Sequence, residues 1–409
     1  MALEVLSPGR RLIGAYAQLP AISGPSFLPI SFFGRLPATM IPLAILTFIA
    51  SSTGSFAAAG LATTATAAGT AVGAPVLGRL ADRCGQRPVL AIAVLVNAVA
   101  LTGLAVRPGS GRVGLLLLCA LIGVSMPQVG GMARARWLAL SRRHAGTAMA
   151  YEGTADEVAY VFGPALAGLL ASTWGAASAL LAAALAGILA VGAFALHPTH
   201  TVTPGTGHRD THPDGRGPQR TPVLRRLVVP ILAMLLMGTF FAATQTAITA
   251  FATGIGRPTA GGLIYALMAV GSAVTALGTA AVPARFGPRS RCAPAAFGLL
   301  TGVLLMMTAG SVPVLCAAVV LTGLSVGPIL VTLHQVAGAA APDGRTATAM
   351  AYLAAGSVIG IALGATTSGA LADANGSLGA FAVAAAASAG LLVLSLAGLR
   401  GPRSLSRGD

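Results

Sequence analysis

The chain has 409 residues, of which 55% are hydrophobic and 9% are charged, and its mean hydropathy is +0.83. This composition excludes a soluble protein of two or three domains and is typical of an integral membrane protein. The net charge of +15 would also fit a nucleic-acid-binding protein, but all 25 basic residues are arginines that lie mostly between apolar segments, so we expect no nucleic-acid partner.

Twelve apolar segments are long enough to cross a hydrocarbon core of about 30 Å as helices, which takes roughly 20 residues each. They span residues 30–52, 55–78, 88–106, 113–135, 145–171, 176–196, 227–252, 259–283, 292–309, 312–336, 346–371 and 376–398. We therefore predict an all-α membrane protein with twelve transmembrane helices. The predicted order is an N-terminal tail (1–27), a six-helix bundle (28–196), a linker (197–224), a second six-helix bundle (225–398) and a C-terminal tail (399–409).

The arginines indicate the orientation. All but four fall in segments on one predicted side of the membrane, and the exceptions are Arg35, Arg107, Arg112 and Arg257. By the positive-inside rule we expect a multi-pass protein of the cell membrane with both termini in the cytoplasm. The N-terminal tail has no short apolar core before a small-residue cleavage site, so we expect no signal peptide. The four cysteines show no paired spacing, so we expect neither a disulfide framework nor a metal site.

The first predicted helix contains Arg35, which is a costly residue at membrane depth. It either extends to the inner interface or pairs with an acid inside the membrane. Counted back from the predicted outer ends of their helices, Arg35 and Asp156 lie at similar depth, so the pairing stays open.

The turn between the second and third predicted helices reads GRLADRCGQRPVL. It resembles the loop signature of the major facilitator superfamily and departs from it at Gln86, where a basic residue is usual; the matching residues are Gly78, Leu80, Asp82, Arg83, Gly85, Arg87 and Leu90. The resemblance implies a twelve-helix secondary transporter whose Asp82 closes the inner face. It also implies two partners for Asp82, which are a basic residue ending the fourth helix, Arg134 or Arg136, and the positive start of the eleventh helix near Thr346.

The fourth predicted helix contains Pro127, which we expect to kink it, and Gln128. Trp137 at its end suits the inner headgroup belt. Antiporters of this family often carry an arginine in this helix four residues before a glycine. Aligned on Gly123, that position is Cys119, so this antiporter signature is absent.

The fifth predicted helix is apolar enough to span the membrane, yet it carries three acids. At about 100° per residue, Glu152, Asp156, Tyr160 and Gly163 share one stripe, whereas Glu157 points roughly 100° away from Asp156. An ionised side chain at this depth costs several kcal/mol unless it faces protein or water. We interpret the acids as part of a substrate or proton pathway, and the alternative is a buried structural ion pair.

Farther along the fifth helix, Gly163, Pro164 and Gly168 resemble the GPxxGG signature of antiporters, with Ala167 in place of one glycine. The close packing of any two membrane helices would need similar residues, so this helix-packing alternative stays open.

The second half of the chain repeats the first. TAMAY occurs at Thr147–Tyr151 and again at Thr348–Tyr352. The three acids of the fifth helix have no counterpart, because Leu353, Ser357 and Val358 occupy the equivalent positions. A charge needed only for folding should recur in both halves, so its restriction to one half favours a function.

The second half offers further candidates. Phe241 and Gln245 lie one turn apart in the seventh helix and would form either an aromatic and amide wall for a substrate or part of a packed core. His334 is the only histidine in a predicted membrane helix, and it would serve either proton transfer or structure.

We therefore expect a secondary transporter that exports a small amphipathic or drug-like molecule in exchange for protons by alternating access. The chain contains no GxxxxGK[ST] nucleotide-binding motif, so we expect no ATP-driven step and no cofactor. We expect a monomer in the lipid bilayer whose partners are protons and the substrate. The alternatives are a proton-coupled importer of a polar nutrient, a membrane enzyme using Glu152 and Asp156, and a non-transporting sensor.

Overall fold

The computed structural model of the chain describes residues 14–53, 56–106, 111–203, 223–257, 260–279, 282, 286–342 and 344–397. The regular elements within these ranges are all helical. Residues 1–13 of the predicted N-terminal tail, residues 204–222 of the predicted linker and the predicted C-terminal tail lie outside the described residues, as does Arg107.

The described residues form twelve long helices, which confirm the predicted all-α membrane fold. They are α1 (Phe27–Thr53), α2 (Phe56–Cys84), α3 (Gln86–Val106), α4 (Gly111–Leu140), α5 (Ala145–Trp174), α6 (Ala176–Leu196), α7 (Val223–Gly254), α8 (Ala260–Gly278), α9 (Pro288–Met307), α10 (Val312–Ala340), α11 (346–375) and α12 (377–397). The last two are continuous except at Gly376, whose φ of 64° and ψ of −154° suit glycine alone.

Nine of the described helical stretches are long and apolar enough to cross a membrane. One of these, Thr346–Ala397, contains both α11 and α12. The remaining two helices, α2 and α5, also have the length to cross, at 29 and 30 residues. Their composition is more polar, since α2 is rich in threonine and glycine and α5 carries the three acids. Together these stretches give the predicted twelve crossings.

Prolines interrupt two helices. In α1 the helical pattern stops after Phe33 and resumes at Leu36, because Pro37 has no N–H for the carbonyl of Phe33 and its ring clashes with that carbonyl. Arg35 therefore lies in a turn, whereas the sequence pattern placed it within a continuous helix. In α4 the pattern stops between Val124 and Val129, where Pro127 produces the expected kink.

The two largest apolar cores among the described residues each belong to one half of the bundle. One is formed by α7 to α12 around side chains such as Met237, Phe240 and Phe381, which are at most 1% exposed. The other belongs to α1 to α6 and includes Ile41 and Leu101, which are completely buried. Burial of apolar side chains between helices supplies the packing contacts that replace lipid contacts in such bundles.

The internal repeat is visible in two close contacts between helices. A Cβ atom on Gly123 of α4 would lie 2.0 Å from the carbonyl oxygen of Thr66, and a Cβ on Gly323 of α10 would lie 2.2 Å from that of Met268. The contact of α2 with α4 is thus repeated by α8 with α10, two hundred residues later. Only glycine permits such an approach in either place.

The two sets of six helices meet closely at one end of the bundle. Met149 and Ala150 of α5 pack there against Ala276 of α8 and Val331 of α10. Asp82 at the end of α2 also lies at this end, against the first residues of α11. We refer to this end as the gate side, and the charged residues of α5 lie farther into the bundle.

Candidate functional site

The turn in α1 directs Arg35 into the bundle. Its side chain is 4% exposed, and its Nη1 donates to the carbonyl oxygen of Ser31 at 2.8 Å. The interrupted helix makes this geometry available, because residues at a helix break no longer follow the helical register. The guanidinium therefore faces the acids of α5 and does not extend to the membrane interface.

Two acids of α5 contact Arg35. Glu152 and Asp156 are four residues apart and lie on the same face of the helix. Arg35 Nη2 contacts Glu152 Oε2, and Arg35 Nε donates to Asp156 Oδ1 at 2.7 Å. Glu152 is completely buried, whereas the Asp156 side chain is 28% exposed. Of the two roles considered for Arg35, the structure places it in the ion pair.

The gate-side part of α4 completes the cluster. Arg134 Nη2 lies 2.5 Å from Asp156 Oδ2, and Trp137 Nε1 donates to Glu152 Oε1 at 2.8 Å. All four carboxylate oxygens of Glu152 and Asp156 therefore have a nitrogen partner. We call Arg35, Arg134, Trp137, Glu152 and Asp156 the charged cluster.

The formal charges of the charged cluster sum to zero when both acids are ionised. This balance offsets part of the several kcal/mol that each buried ion loses by leaving water. Protonation of Asp156 would leave one excess positive charge shared by Arg35 and Arg134. Protonation of Asp156 therefore changes how strongly α1, α4 and α5 attract one another.

A cavity of about 40 Å³ lies beside the charged cluster, towards the gate side. Gln128 and Arg134 of α4 line it together with His334 of α10. His334 is within electrostatic range of Arg134 and Asp156, and its Nδ1 lies 2.8 Å from the carbonyl oxygen of Leu330. Gln128 and His334, which belong to opposite halves of the molecule, thus line one cavity together with Arg134 of the charged cluster.

Asp82 joins the two halves at the gate side. Its carboxylate accepts from the backbone N–H of Ala347 at 3.1 Å, from the N–H of Thr348 at 2.7 Å and from the Thr348 hydroxyl at 2.5 Å. These donors belong to the first turn of α11, where the helix dipole favours a negative charge. The expected contact of Asp82 with the start of the eleventh helix is confirmed.

The expected basic partner of Asp82 was wrong. Arg134 pairs with Asp156, and Arg136 is completely buried and forms no ion pair with an acid among the described residues. Arg136 donates to Gln86 Oε1 at 2.8 Å and to the Phe194 carbonyl oxygen at 2.9 Å, and it stacks 3.9 Å from the Phe194 ring. It thereby fastens α4 to α3 and α6. Gln86, the position at which the loop departs from the family signature, accepts this hydrogen bond from Arg136.

The other residues of the loop have distinct surroundings. A Cβ on Gly78 would lie 2.7 Å from Ala351 Cβ, so this glycine permits α2 to approach α11. Gly85 has a φ of 85°, in the left-handed region that favours glycine. Arg83 and Arg87 are exposed.

The residues of the antiporter-like signature pack α5 against α1. A Cβ on Gly163 would lie 2.0 Å from Thr39 Oγ1, whereas a Cβ on Gly168 would meet only Leu43 at an ordinary 3.8 Å. Pro164 lies within α5 without ending it. These contacts favour a helix-packing role for Gly163.

The remaining candidates lie apart from the charged cluster. Phe241 packs beside the core of the second half, and Gln245 is exposed. Within the described ranges, neither forms a hydrogen bond or ion pair with the charged cluster. Glu157 is half-buried and faces α8, where Ser272 lies beside it. No group of three potential metal ligands occurs among the described residues.

Sequence reasoning missed two members of the charged cluster. Trp137 was expected in the headgroup belt, but its side chain is fully buried against Glu152. Arg134 was assigned to the gate. A signal was present, because α4 and α5 are antiparallel neighbours joined by a short connection, which places the basic end of α4 beside the acids of α5.

The Major Facilitator Superfamily model matches the chain at residues 27–312 and 231–408. The crystal structure of the human organic anion transporter MFSD10 (TETRAN) is similar with a TM-score of 0.69 and 18% sequence identity, over 90% of this chain and 98% of that chain. The crystal structure of a variant of the E. coli fucose:proton symporter FucP is similar with a TM-score of 0.66 and 15% identity, over 90% of this chain and 96% of that chain.

No curated protein sequence matches the chain at a significant level. The family model nevertheless spans both halves, and the twelve-helix fold with its internal repeat agrees with it. The matching family is one of transporters, which points away from an enzyme. The chain therefore belongs to the major facilitator superfamily of small-molecule transporters.

Proposed function

We propose that the chain is a proton-coupled transporter that exports a small amphipathic or drug-like molecule by alternating access. The observation that carries this proposal is the charged cluster of Arg35, Arg134, Glu152 and Asp156, which lies inside the bundle beyond a closed gate. The equivalent positions of the second half hold Leu353 and Ser357, so the charges are not a general requirement of the fold. Ionisable groups at this depth are expensive and usually serve transport.

The two six-helix bundles, 28–196 and 225–398, are the bodies that move relative to each other in this proposal. The gate side faces the cytoplasm, in agreement with the arginine-rich connections, and both termini lie on that side of the cell membrane. Opening the gate requires Asp82 to leave the first turn of α11 and Gly78 to separate from Ala351. The structure then corresponds to the state closed towards the cytoplasm.

Asp156 is the site at which a proton would act. A proton arriving from the outer side neutralises this carboxyl group and removes the charge that attracts both Arg35 and Arg134. The tie among α1, α4 and α5 then weakens, and the bundle rearranges to release the proton on the cytoplasmic side. Glu152 is the second candidate for this role, and His334 and Gln128 lie on the path between Asp156 and the gate.

Export is favoured over import by the loop from Gly78 to Leu90 and by the partial antiporter signature at Gly163 and Pro164. The partners are protons, one small-molecule substrate and the lipid bilayer, with no cofactor and no nucleic acid, and the protein acts as a monomer. A proton-coupled importer of a polar nutrient is the other function compatible with the same cluster.

The experiment begins with growth of a transporter-depleted host on a compound panel, with and without the chain, to find a transported compound. Inverted membrane vesicles, whose cytoplasmic face is outside, are then given an acidic interior and the compound is added outside. We expect it to accumulate, and we expect an internal pH dye to report proton release. Accumulation only in right-side-out vesicles would support import, and accumulation independent of the pH gradient would contradict proton coupling.

A matched pair of variants tests whether the charged cluster couples transport to protons. Asp156→Asn and Asp373→Asn each remove one acid, but Asp373 is exposed at the far end of α11 from the gate. We expect Asp156→Asn to abolish accumulation driven by the pH gradient and Asp373→Asn to preserve it. Equal accumulation in the two variants would remove Asp156 from the proposed mechanism.

A further inference from the structure

Glu157 is an acid at membrane depth that lies outside the charged cluster. The ion pairs that Arg35 and Arg134 form within the described residues go to Glu152 and Asp156, not to Glu157. Among the described residues, the charged side chain that acts on Glu157 is Asp156, which has the same sign. A carboxylate in such a place requires a proton or another cation, because its charge is otherwise uncompensated in a medium of low dielectric constant.

The surroundings of Glu157 come from both halves of the molecule. Tyr160 is three residues further along α5 and lies on the same side of that helix. Tyr265 and Ser272 of α8 are seven residues apart, so they also share one face of their helix. Tyr265 is within electrostatic range of Glu157 and Tyr160. Two phenol side chains, one from each half, thus lie within electrostatic range of the carboxylate.

Ser272 supplies a second, independent observation. Its side chain is completely buried and lies beside the Glu157 carboxylate, yet its hydroxyl makes no hydrogen bond of normal geometry with any described group. Buried hydroxyl groups normally have a partner. The hydroxyl is close enough to Glu157 to stabilise its negative charge but is not held in a normal hydrogen bond, so it can also contact a group that enters between α5 and α8.

The exposed side of this site faces the interior of the transporter. Tyr160 is 63% exposed, although it is within electrostatic range of the buried Arg134 and of Asp156. Tyr265 of the other half is also within electrostatic range of Tyr160, so we place the space beside Tyr160 where the two halves face each other. The contact of Val331 with Gly153 lies on the gate side of Glu157 and closes that direction. The site is consequently open away from the gate.

We propose that Glu157, Tyr160, Tyr265 and Ser272 form a binding site for a monovalent organic cation that carries apolar or aromatic groups. The charge balance sets the valence, because the charged cluster is neutral and Glu157 adds one negative charge. The two phenol rings stabilise a positive charge through cation–π contacts and accommodate its apolar substituents. The inference rests on the proposed transport function and gives it a substrate class. An organic cation neutralises the ionised Glu157, whereas with an anionic or neutral substrate only a proton could do so.

The test measures binding to the purified full-length protein in detergent at pH 8, without a membrane or a pH gradient. The probes are tetraphenylphosphonium and tetraphenylborate, which have nearly the same shape and opposite charges. We expect saturable binding of tetraphenylphosphonium to the unmodified protein. In Glu157→Gln its Kd should rise about 10-fold or more, which corresponds to the loss of one favourable charge interaction. Binding of tetraphenylborate should not weaken in this variant.

Two controls distinguish a specific loss of the binding site from a general effect on the protein. Asp373→Asn removes one acid from an exposed position and should leave the Kd of tetraphenylphosphonium unchanged. Tyr160→Phe should bind like the unmodified protein, whereas Tyr160→Leu should bind about 2- to 5-fold more weakly because it loses a cation–π contact. The melting midpoint of each variant is measured in the same detergent to confirm that it is folded.

Three results would overturn the inference. The first is no saturable binding of tetraphenylphosphonium to the unmodified protein, which would leave Glu157 as a group for protons alone. The second is an unchanged Kd in Glu157→Gln. The third is an equal loss of affinity for both probe ions in that variant. Because no gradient is involved, Glu157-dependent binding would stand even if the vesicle experiments contradicted proton-coupled export.

Discussion

Arg134 and Asp156 form an ion pair, with 2.5 Å between Nη2 and Oδ2, that joins α4 to α5 inside the bundle. Arg35 contacts the other carboxylate oxygen at 2.7 Å, so three helices meet at one acid. A buried ion pair is often no more stabilising than apolar packing, but removing one partner leaves a charge without compensation. The pair is therefore suited to a role in which it breaks and re-forms. Substituting one partner alone should lower the stability of the protein.

Asp156→Asn should lower the thermal stability of the protein, with a cost on the order of 3 kcal/mol, because Arg35 and Arg134 then share a single acid. The double variant Arg134→Gln/Asp156→Asn removes one charge of each sign and keeps the contact of Arg35 with Glu152. Its melting midpoint in detergent should lie above that of the single variant. A single variant as stable as the unmodified protein would mean that the pair contributes nothing to the fold.

Much of the fold follows from the chain alone. Apolar length determines the number of crossings, and Pro127 indicated the kink in α4. The start of α11 could be matched to Asp82 because a carboxylate and a helix N-terminus attract each other wherever the chain brings them together. Pro37 was a signal for the break in α1, because a proline cannot donate a hydrogen bond to the carbonyl group four residues upstream and its ring clashes with that group.

The charged cluster was harder to predict because it depends on how the helices are rotated about their own axes. The spacing of Glu152 and Asp156 fixed their shared face, but no pattern along α4 showed that Arg134 reaches that face. Trp137 was ambiguous for another reason, since an indole suits both a membrane interface and a buried hydrogen bond to a carboxylate. Side-chain reach across three helices decided both cases.

Asp82→Asn should leave the protein inserted but shift its population towards the gate-open state, because the amide lacks the charge that favours the first turn of α11. Spin labels at Arg87 and Arg345, which are exposed on opposite halves at the gate, would report the change as longer distances. Asp373→Asn serves as the control and should match the unmodified protein. Identical distance distributions in all three proteins would exclude a gating role for Asp82.

Gly78 and Gly163 allow a comparison between a contact across the halves and a contact within one half. A Cβ on Gly78 would lie 2.7 Å from Ala351 Cβ in the other half, whereas one on Gly163 would lie 2.0 Å from Thr39 Oγ1 in its own half. Gly78→Val should therefore open the gate with little loss of melting temperature, and Gly163→Val should destabilise every conformation. The distance between spin labels at Arg87 and Arg345 measures the opening of the gate, and a melting curve measures stability. Large destabilisation by Gly78→Val would show that the gate contact is part of the permanent core.

The orientation of the chain is testable with single cysteines in a Cys-free background at Arg87, Arg143 and Arg289, all of which are exposed at connections between helices. The arginine distribution predicts that a membrane-impermeant thiol reagent reaches them only from the cytoplasmic side. A cysteine at Trp174, exposed at the opposite end of α5, is the matched control and should react from outside. Labelling of Arg87→Cys in intact cells would reverse the proposed topology.

The segment 14–23, which precedes α1, connects the two halves at the gate. The Tyr16 hydroxyl donates to the carbonyl oxygen of Leu277 at the end of α8 at 2.8 Å, and Gln18 Oε1 lies 2.9 Å from His144 Nε2 in the first half. Leu19 is 1% exposed and anchors the segment against the first half and the start of α11. Of these two hydrogen bonds, the one from Tyr16 crosses between the halves, so opening the gate must break it.

Tyr16→Phe removes that hydrogen bond and keeps the ring, so it should disfavour the gate-closed state by about 1 kcal/mol, or roughly fivefold in population. Gln18→Ala removes a hydrogen bond within the first half alone and should leave the equilibrium unchanged. Distances between spin labels at Arg87 and Arg345 measure both variants. If Gln18→Ala lengthened the distances as much as Tyr16→Phe, the effect would come from loosening the segment as a whole, and the specific contact of Tyr16 with Leu277 would have no part in keeping the gate closed.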